Sequence, residues 1–571
     1  MDWFRPFIQA FLSGLLIMIL FSPGKSIDNK MPLAAILSKP IGCSPGNWGE
    51  RNPASKNQIP ILPGWGHYHF GISSTSDSAG IYFDQGLSLY YSYHPWEAAS
   101  SFMVASSFDP GCAMCYWGQA LAKGPYYNGF GRYSTPNEVP AIIEAMNKNS
   151  SGATEKEKDL IIAMKQRYLM TGDEGQRKGL NRNYAEAMKT LISKYPNDLD
   201  IRALYIDAVM LEHPWEFWNT DGSPKPWTPE LIPLCEGILK VNPHHPGAMH
   251  YYIHLTEASR DPGRALPQAE ELRISMPGVP HMVHMSSHVY ERTGHFGDGV
   301  LANDLAFAAD KSYNSLVSGT YSLTRNSHYL AVQAFCAING GMLKDGMPAI
   351  YECGSSMVPS RSWPFSQYVH MFPTLAWVRM GQWQSIIESL QPNYDVSFAR
   401  ILDNFARGLA YLRRQVPDSP KIFLEAIDQS IDDPGLTVPD SPFSPFILPA
   451  KVARNILAAE ILSVQKRTLD AENLFRLAIQ IEDSIIYFEP KRWLLPARQY
   501  FGTRLLEWKR PKEAEKVFRD DLIMNPGNGW SLTGLYLSLL AEQNPTEALH
   551  YKSMAEKAFS KSDLVIKSAV F

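Results

Sequence analysis

Cysteine is scarce in this chain, six residues in 571. That is too few for a disulfide scaffold, and the Cys112-x-x-Cys115 pair has no second pair to complete a four-thiolate zinc site. Because Cys112 stands where a repeat helix begins, the pair reads as a local disulfide or two buried thiols rather than a redox site. An excess of one charge is also lacking. There are 53 Lys and Arg against 57 Asp and Glu, a formal net charge of −4, with no long basic run, so nucleic acid is not an expected partner. Strand-type alternation is sparse. No G-x-S-x-G, H-E-x-x-H or P-loop pattern occurs, so nothing points to those hydrolase, protease or nucleotide-binding chemistries. Beyond the N-terminus, no stretch is long and apolar enough to span a bilayer.

The one long apolar run follows Arg5. It extends from Phe7 to Phe21, is interrupted by Gln9, Ser13 and Gly14, and ends in Ser22-Pro23-Gly24-Lys25-Ser26. That layout predicts a signal peptide over residues 1–26 and a secreted or extracytoplasmic protein, in the periplasm or the secretory pathway. No clean small-x-small site follows, so an uncleaved anchor is the alternative, and it would be the only membrane attachment. Asn149-Ser150-Ser151 is a glycosylation sequon, usable only in a eukaryotic host.

What is abundant is helical periodicity broken by short Gly and Pro turns, and it repeats. From Ala79 the chain reads Gly86, Ala98, Phe102, Ala105 and Pro110. From Leu495 it reads Gly502, Ala514, Phe518 and Pro526. Ala471, Phe475 and Ala478 belong to another copy, and Pro243 and Pro277 stand 34 residues apart. A 34-residue period with small, aromatic and proline residues at these offsets is that of a tetratricopeptide (TPR) repeat. The expected fold is therefore all-α, a superhelix of paired antiparallel helices. Expected divisions are a loop-rich lead-in over 27–75, an N-terminal array over 76–357 and a C-terminal array over 366–571, with proline-rich breaks at 358–365 and 433–449.

Two strings inside this repeat match one another. His250-x3-His254-x2-Glu257 recurs 34 residues on as His284-x3-His288-x2-Glu291. On a helix turning ~100° per residue, each string places two imidazoles and a carboxylate within about 60° of arc. His281 lies on the same stripe. The repeat register assigns these positions to first helices, which line the concave face of such a superhelix and run side by side about 10 Å apart.

Together with Gly64-Trp-Gly-His67-Tyr-His69-Phe, Asp109-Pro-Gly-Cys112-Ala-Met-Cys115-Tyr-Trp117-Gly118, Pro246-Gly-Ala-Met-His250 and Asn528-Gly-Trp530-Ser-Leu, these strings give the chain its resemblance. It resembles a large, mostly bacterial family of exported TPR proteins over most of residues 62–560. The resemblance implies the fold and export, and implies no particular activity. Two places depart from the family pattern. Tyr93-His94-Pro95-Trp96 stands where the family often has Phe-Asn-His, and Arg325-Asn-Ser-His328 stands where it often has His-Asn-x-His.

Two readings follow. In the first, His250, His254, His284, His288, Glu257 and Glu291 form a divalent transition-metal site in the groove, with His67, His69, His281 and His328 as additional ligands. Imidazole and carboxylate donors suit copper, zinc or iron. If the metal is catalytic, Glu257 and Glu291 are the candidate general bases, and hydrolase and oxidase chemistry stay open. In the second, the groove is a metal-free scaffold for a peptide, protein or small molecule, and the histidines bind by hydrogen bonding. Glu489-Pro490, Trp493 and Arg498 are a further candidate region, read either as the far wall of the same cavity or as residues fixing the last repeats. His94, His213 and His550 read as structural or surface residues.

Overall fold

Phe102 shows how the repeat closes. A Cβ at Gly86 would lie 2.7 Å from its ring, and one at Gly118 only 2.3 Å. No real side chain tolerates that approach, so glycine at both places lets helices Asp77–Tyr91 and Ala113–Ala122 press onto the ring carried by Pro95–Phe108. Phe518 is held in the same way between Gly502 at 2.5 Å and Gly534 at 2.3 Å. These are the small and aromatic positions of the sequence repeat, and the contact sets the helix spacing at both ends of the solenoid.

The computed structural model describes residues 59–571 apart from 130–132, 169–175, 317–326, 390–394, 417–418 and 439–441. The chain divides into residues 1–39 and 40–571. The expected signal segment and most of the lead-in lie outside the described residues, as do Arg325 and Asn326. The described part holds 25 α-helices and no β-strand, only isolated bridges at Trp218–Pro224 and Ser360–Trp363. Each helix packs chiefly on the next. First helices also touch first helices: Pro246–Glu257 packs on Pro280–Thr293, and that helix packs on Ser327–Asn339. The fold is a TPR-type α-solenoid, and none of its described helices is long and apolar enough to cross a membrane. Most buried apolar residues fall into two cores, Ile59–Tyr313 and Leu330–Ala569, and Trp215 packs against both.

The two motif helices start alike. Each has proline at its first position, where no amide donor is needed, and the His245 imidazole caps one of them by accepting from the Ala248 N–H at 3.2 Å. Two loops then clamp the second helix at its ends. Ahead of Pro280, Gly278 donates to the Gly64 carbonyl at 2.9 Å, and a Cβ there would lie 2.2 Å from the Pro63 oxygen. Beyond Thr293, Gly294 is left-handed (φ 76°), and a Cβ would lie 2.0 Å from the carbonyl oxygen of Gly527. Residues 63–64 of the lead-in and the 525–528 turn of the C-terminal repeats are therefore both fixed against the helix that carries His281, His284 and His288.

Elsewhere the structure agrees with local expectations. Cys112 and Cys115 are joined as a disulfide across the first turn of their helix. Asn528 caps helix Gly529–Ala541 and feeds the buried Trp530 indole, which donates to the Asn339 carbonyl at 2.8 Å. His213 stacks on Trp227 with centroids 3.5 Å apart, away from the motif helices.

Buried charge also ties the C-terminal repeats together. Glu460 accepts from Arg413 at 2.6 Å and from Arg504 at 2.8 and 2.5 Å. Burial alone would raise its carboxyl, but the two guanidiniums outweigh it and hold the group down to about 2. Its ordinary value is 4.5. The ion pairs therefore contribute fully above that value, and their stabilisation is lost as pH falls toward 2. Glu460→Gln is expected to cost on the order of 3 kcal/mol at pH 7 and to flatten acid unfolding in that window. Gly534→Leu, which forces a side chain into the Phe518 ring, is expected to cost about 1–3 kcal/mol. Urea midpoints across pH check both, and unchanged midpoints would show that neither contact carries stability.

Candidate metal centre

Three first helices and one loop converge on a cluster of imidazoles. Helix Pro246–Glu257 supplies His250 and His254, helix Pro280–Thr293 supplies His281, His284 and His288, and helix Ser327–Asn339 supplies His328. All six are buried, none more than 4% exposed. They form two groups, His250/His254/His281 and His284/His288/His328. Within each group, nitrogens capable of ligation lie within 4.8 Å of one another. The stripe read from the sequence is real, but it gathers on two points, and each first helix does not simply repeat the other's role. The interior face that carries it is not displayed as an open groove. Residues 487–493 run across it, bringing Glu489 against His288 and placing the Lys491 amide on Glu291.

The hydrogen bonds made by the outer ring nitrogens decide what the inner ones present. His250 Nδ1 lies 2.6 Å from the Tyr91 carbonyl, which can only accept, so Nδ1 carries the proton. Asn303 donates its amide N–H to the Gly299 carbonyl at 2.8 Å. That turns Asn303 Oδ1 toward His284 Nδ1, 2.7 Å away, and requires a proton there too. His288 Nδ1 lies between two carboxylates, 2.9 Å from Glu257 and 3.0 Å from Glu489. His254 Nδ1 donates to the other Glu257 oxygen at 2.7 Å. Four imidazoles therefore spend Nδ1–H on outer partners and turn Nε2 lone pairs inward. This is the arrangement by which outer partners orient histidine ligands.

The consequence is sharpest at His284 and His288. Their Nε2 atoms are 2.8 Å apart, and His328 Nε2 stands 3.3 Å from His288 Nε2. With both Nδ1 protons committed, two lone pairs face one another across that gap, which a metal cation or a second proton on one ring would reconcile. Ligands at 2.0–2.1 Å from a shared ion sit roughly 3.3–3.5 Å apart in a tetrahedral arrangement, so small ring movements complete such a site. In the other group, His250 Nε2 and His281 Nε2 are 3.0 Å apart, and His254 Nε2 is buried without a hydrogen-bond partner. Burial, reinforced by neighbouring imidazoles, keeps His250, His281 and His284 far below their ordinary pKa. His254 and His328 are pushed down to about 3, with burial again the leading cause. All five are neutral near pH 7, the form that binds a metal.

The carboxylates divide. Glu257 links His254 to His288 across two helices, so both its oxygens serve imidazole N–H groups; with His254 and Glu489 it also makes a third candidate ligand group. Glu291 stands outside all three groups. Burial lifts its carboxyl to about 7, and its Oε2 has no hydrogen-bond partner. Of the additional histidines, His281 and His328 join the cluster and the lead-in pair does not. His67 is exposed, and His69 is exposed and bonded to Asp84 at 2.7 Å.

Three contributors have no periodic signal in the sequence. Glu489 arrives from a loop about 200 residues downstream of the second motif. Asn303 belongs to a second helix, Phe296–Leu316. Tyr93 takes a left-handed backbone (φ 55°), which is costly for a tyrosine, and lays its ring 4.3 Å from His250 and 5.6 Å from His281. Its hydroxyl is buried without a hydrogen-bond partner. The departure of Tyr93-His94 from the family pattern was the only hint of it.

No family model matches this chain, and no curated protein matches it. Among solved structures it is similar to the human IFIT1 dimer with m7Gppp-AAAA, at 13% identity over 85% of this chain and 91% of that one, TM-score 0.30. Yeast Tom70 aligns at 10% identity over 85% and 90%, TM-score 0.26. The P58(IPK) TPR domain aligns at 12% identity over 85% and 96%, TM-score 0.18. None of these likenesses bears on the histidine cluster, which stands on its own geometry.

Asn303→Leu removes the acceptor that fixes the His284 tautomer while leaving every imidazole in place. It is expected to weaken zinc or copper binding about 10–100-fold with unchanged helicity, read by chelator competition and circular dichroism. Unchanged affinity would show that Asn303 does not orient the ligand.

Proposed function

We propose that this protein is a metalloprotein whose six buried histidines hold a pair of borderline transition-metal ions, one in each three-imidazole group. The observation that carries the reading is the inward convergence of the His284 and His288 Nε2 lone pairs, fixed by Asn303, Glu257 and Glu489. All six donors are imidazoles, five of them held neutral by burial, which suits copper, zinc or iron. Glu257 and Glu489 stand just outside the ligands, both against His288 Nδ1. No Lys or Arg forms an ion pair with either carboxylate among the described residues, so bound cations would offset their buried charge.

Bound there, such ions supply Lewis-acid chemistry, or redox chemistry if they are copper or iron. The surrounding residues orient the imidazoles, exclude water through Tyr93 and Trp215, and bring carboxyl groups close. With both Glu257 oxygens engaged, Glu291 and Glu489, whose buried oxygens include ones without a hydrogen-bond partner, are the carboxyls left for proton transfer. These histidines are covered, so they would not serve as the contact residues of a metal-free peptide groove. Consistent with the resemblance of its motifs, we place the protein with the exported TPR family, processed at the N-terminus and acting outside the cytoplasm.

Protein made without a histidine tag and dialysed against zinc or copper is expected to retain about two ions per chain by mass spectrometry. His281→Asn and His328→Asn are each expected to lose about one, and the double variant both. Background metal in the folded wild type would sink the proposal. Processing is checked by N-terminal sequencing of the secreted protein, with a new terminus expected near Lys25 to Asn29.

A further inference from the structure

Beside the cluster lies a second feature that the metal centre does not use. A cleft of about 840 Å³, counted out to its open mouth, runs between residues 215–220 and the 482–498 segment. Its charged lining is unevenly matched. Arg498 is answered by Asp483 in a two-pronged ion pair at 2.6 and 2.7 Å. Glu482, which accepts from the Ala497 N–H, is pushed up to about 7 by burial and so is only partly ionised near neutral pH. Arg260 and Arg292 make no ion pair among the described residues. Arg292 donates to the carbonyls of Glu257, Ser259 and Met524 at 2.8, 3.2 and 3.3 Å, and Arg260 donates to that of Thr220.

Carbonyls position a guanidinium without neutralising it, and each of these arginines still has N–H groups to give. Burial and the neighbouring Arg292 both work against the charge on Arg260. Its seat is nevertheless built for it. Gly222, left-handed at φ 88°, leaves room for the Arg260 stem, which a Cβ would meet at 2.6 Å. Trp215 and Trp218 also line the cleft.

The cleft also touches the metal centre. Trp215, held left-handed at φ 67°, packs edge-to-face on His254 with ring centroids 5.9 Å apart. Tyr487 lines the cleft too, its hydroxyl buried without a hydrogen-bond partner. Arg292 is one helical turn beyond His288. Trp215 thus lines the cleft and packs against one of the imidazoles.

We propose that this cleft binds an organic anion with a flat apolar body, its carboxylate on Arg260 and Arg292 and its body on Trp215 and Trp218, and that it is the mouth of the histidine cluster. The binding half is independent of the metal; the mouth half rests on the metal reading above. Carboxylate geometry matches a guanidinium fork, and flat rings match indole faces.

Titration with benzoate, benzamide and inorganic phosphate, followed by tryptophan fluorescence and calorimetry, tests the first half. Benzoate is expected to bind at least ~10-fold more tightly than either of the others, and Arg260→Gln and Trp218→Leu are each expected to lose ~10-fold or more. Both variants should keep wild-type helicity and metal content. Benzamide binding as tight as benzoate would overturn the anion site, and phosphate binding as tight would overturn the apolar wall. Unchanged benzoate affinity in Arg260→Gln would overturn the arginine assignment. For the second half, saturating benzoate is expected to slow removal of metal by a chelator ~10-fold in wild type and not in Arg260→Gln; an unchanged rate overturns it. Metal content is measured on the same samples. Benzoate binding by protein that holds no metal would leave the anion site standing, while the metal reading and the mouth assignment fell together.

Discussion

One carboxylate joins the repeat to the site. Glu257 accepts from His254 on its own helix and from His288 on the next first helix, so its position ties the spacing of two repeats to the direction of two imidazoles. That spacing is set by close packing. In the motif helix Pro246–Glu257, Gly247 lets the Tyr91 ring approach to where a Cβ would lie 2.7 Å from it. A shift of about an ångström between the motif helices would break one of the two Glu257 bonds, turn an Nδ1 loose and free its ring to rotate. The order of the cluster is thus inherited from the order of the solenoid.

Burial then works in favour of the chemistry. Six imidazoles in a dry interior cannot all be charged, and desolvation keeps His250, His254, His281, His284 and His328 neutral where water would leave some protonated near pH 6. Neutral rings with oriented Nδ1–H groups are ready-made ligands. The cost is local crowding of lone pairs at His284 and His288 and a strained Tyr93 backbone. Both are features that persist in a fold when the surrounding structure over-determines them, and both sit where function is proposed.

The loops complete what the repeats begin. The lead-in fixes the start of helix Pro280–Thr293, and the Asn525–Gly527 turn fixes its end. The 487–493 loop covers the stripe and adds Glu489. In an open TPR groove these histidines would face solvent and a partner. Here the C-terminal repeats return over them, and a cleft lies beside them between residues 215–220 and the 482–498 segment.

The sequence alone determined the helical repeat, its 34-residue register and the alignment of His250 with His284 and His254 with His288. It could do so because helix periodicity and glycine–aromatic packing are local and leave a regular trace. It also placed His281 on the stripe and marked His328. Tertiary structure decided the rest. The histidines separate into two groups because neighbouring helices offset their rings, a displacement no spacing encodes. Glu257 turned outward to hold imidazoles and Glu291 fell outside, although the two occupy equivalent repeat positions, because Glu489 approaches from one side only. Asn303, Tyr93 and Glu489 belong to a second helix and two loops, where no period points to a partner. Their roles arise from contacts between residues far apart in the chain, which only the folded packing brings together.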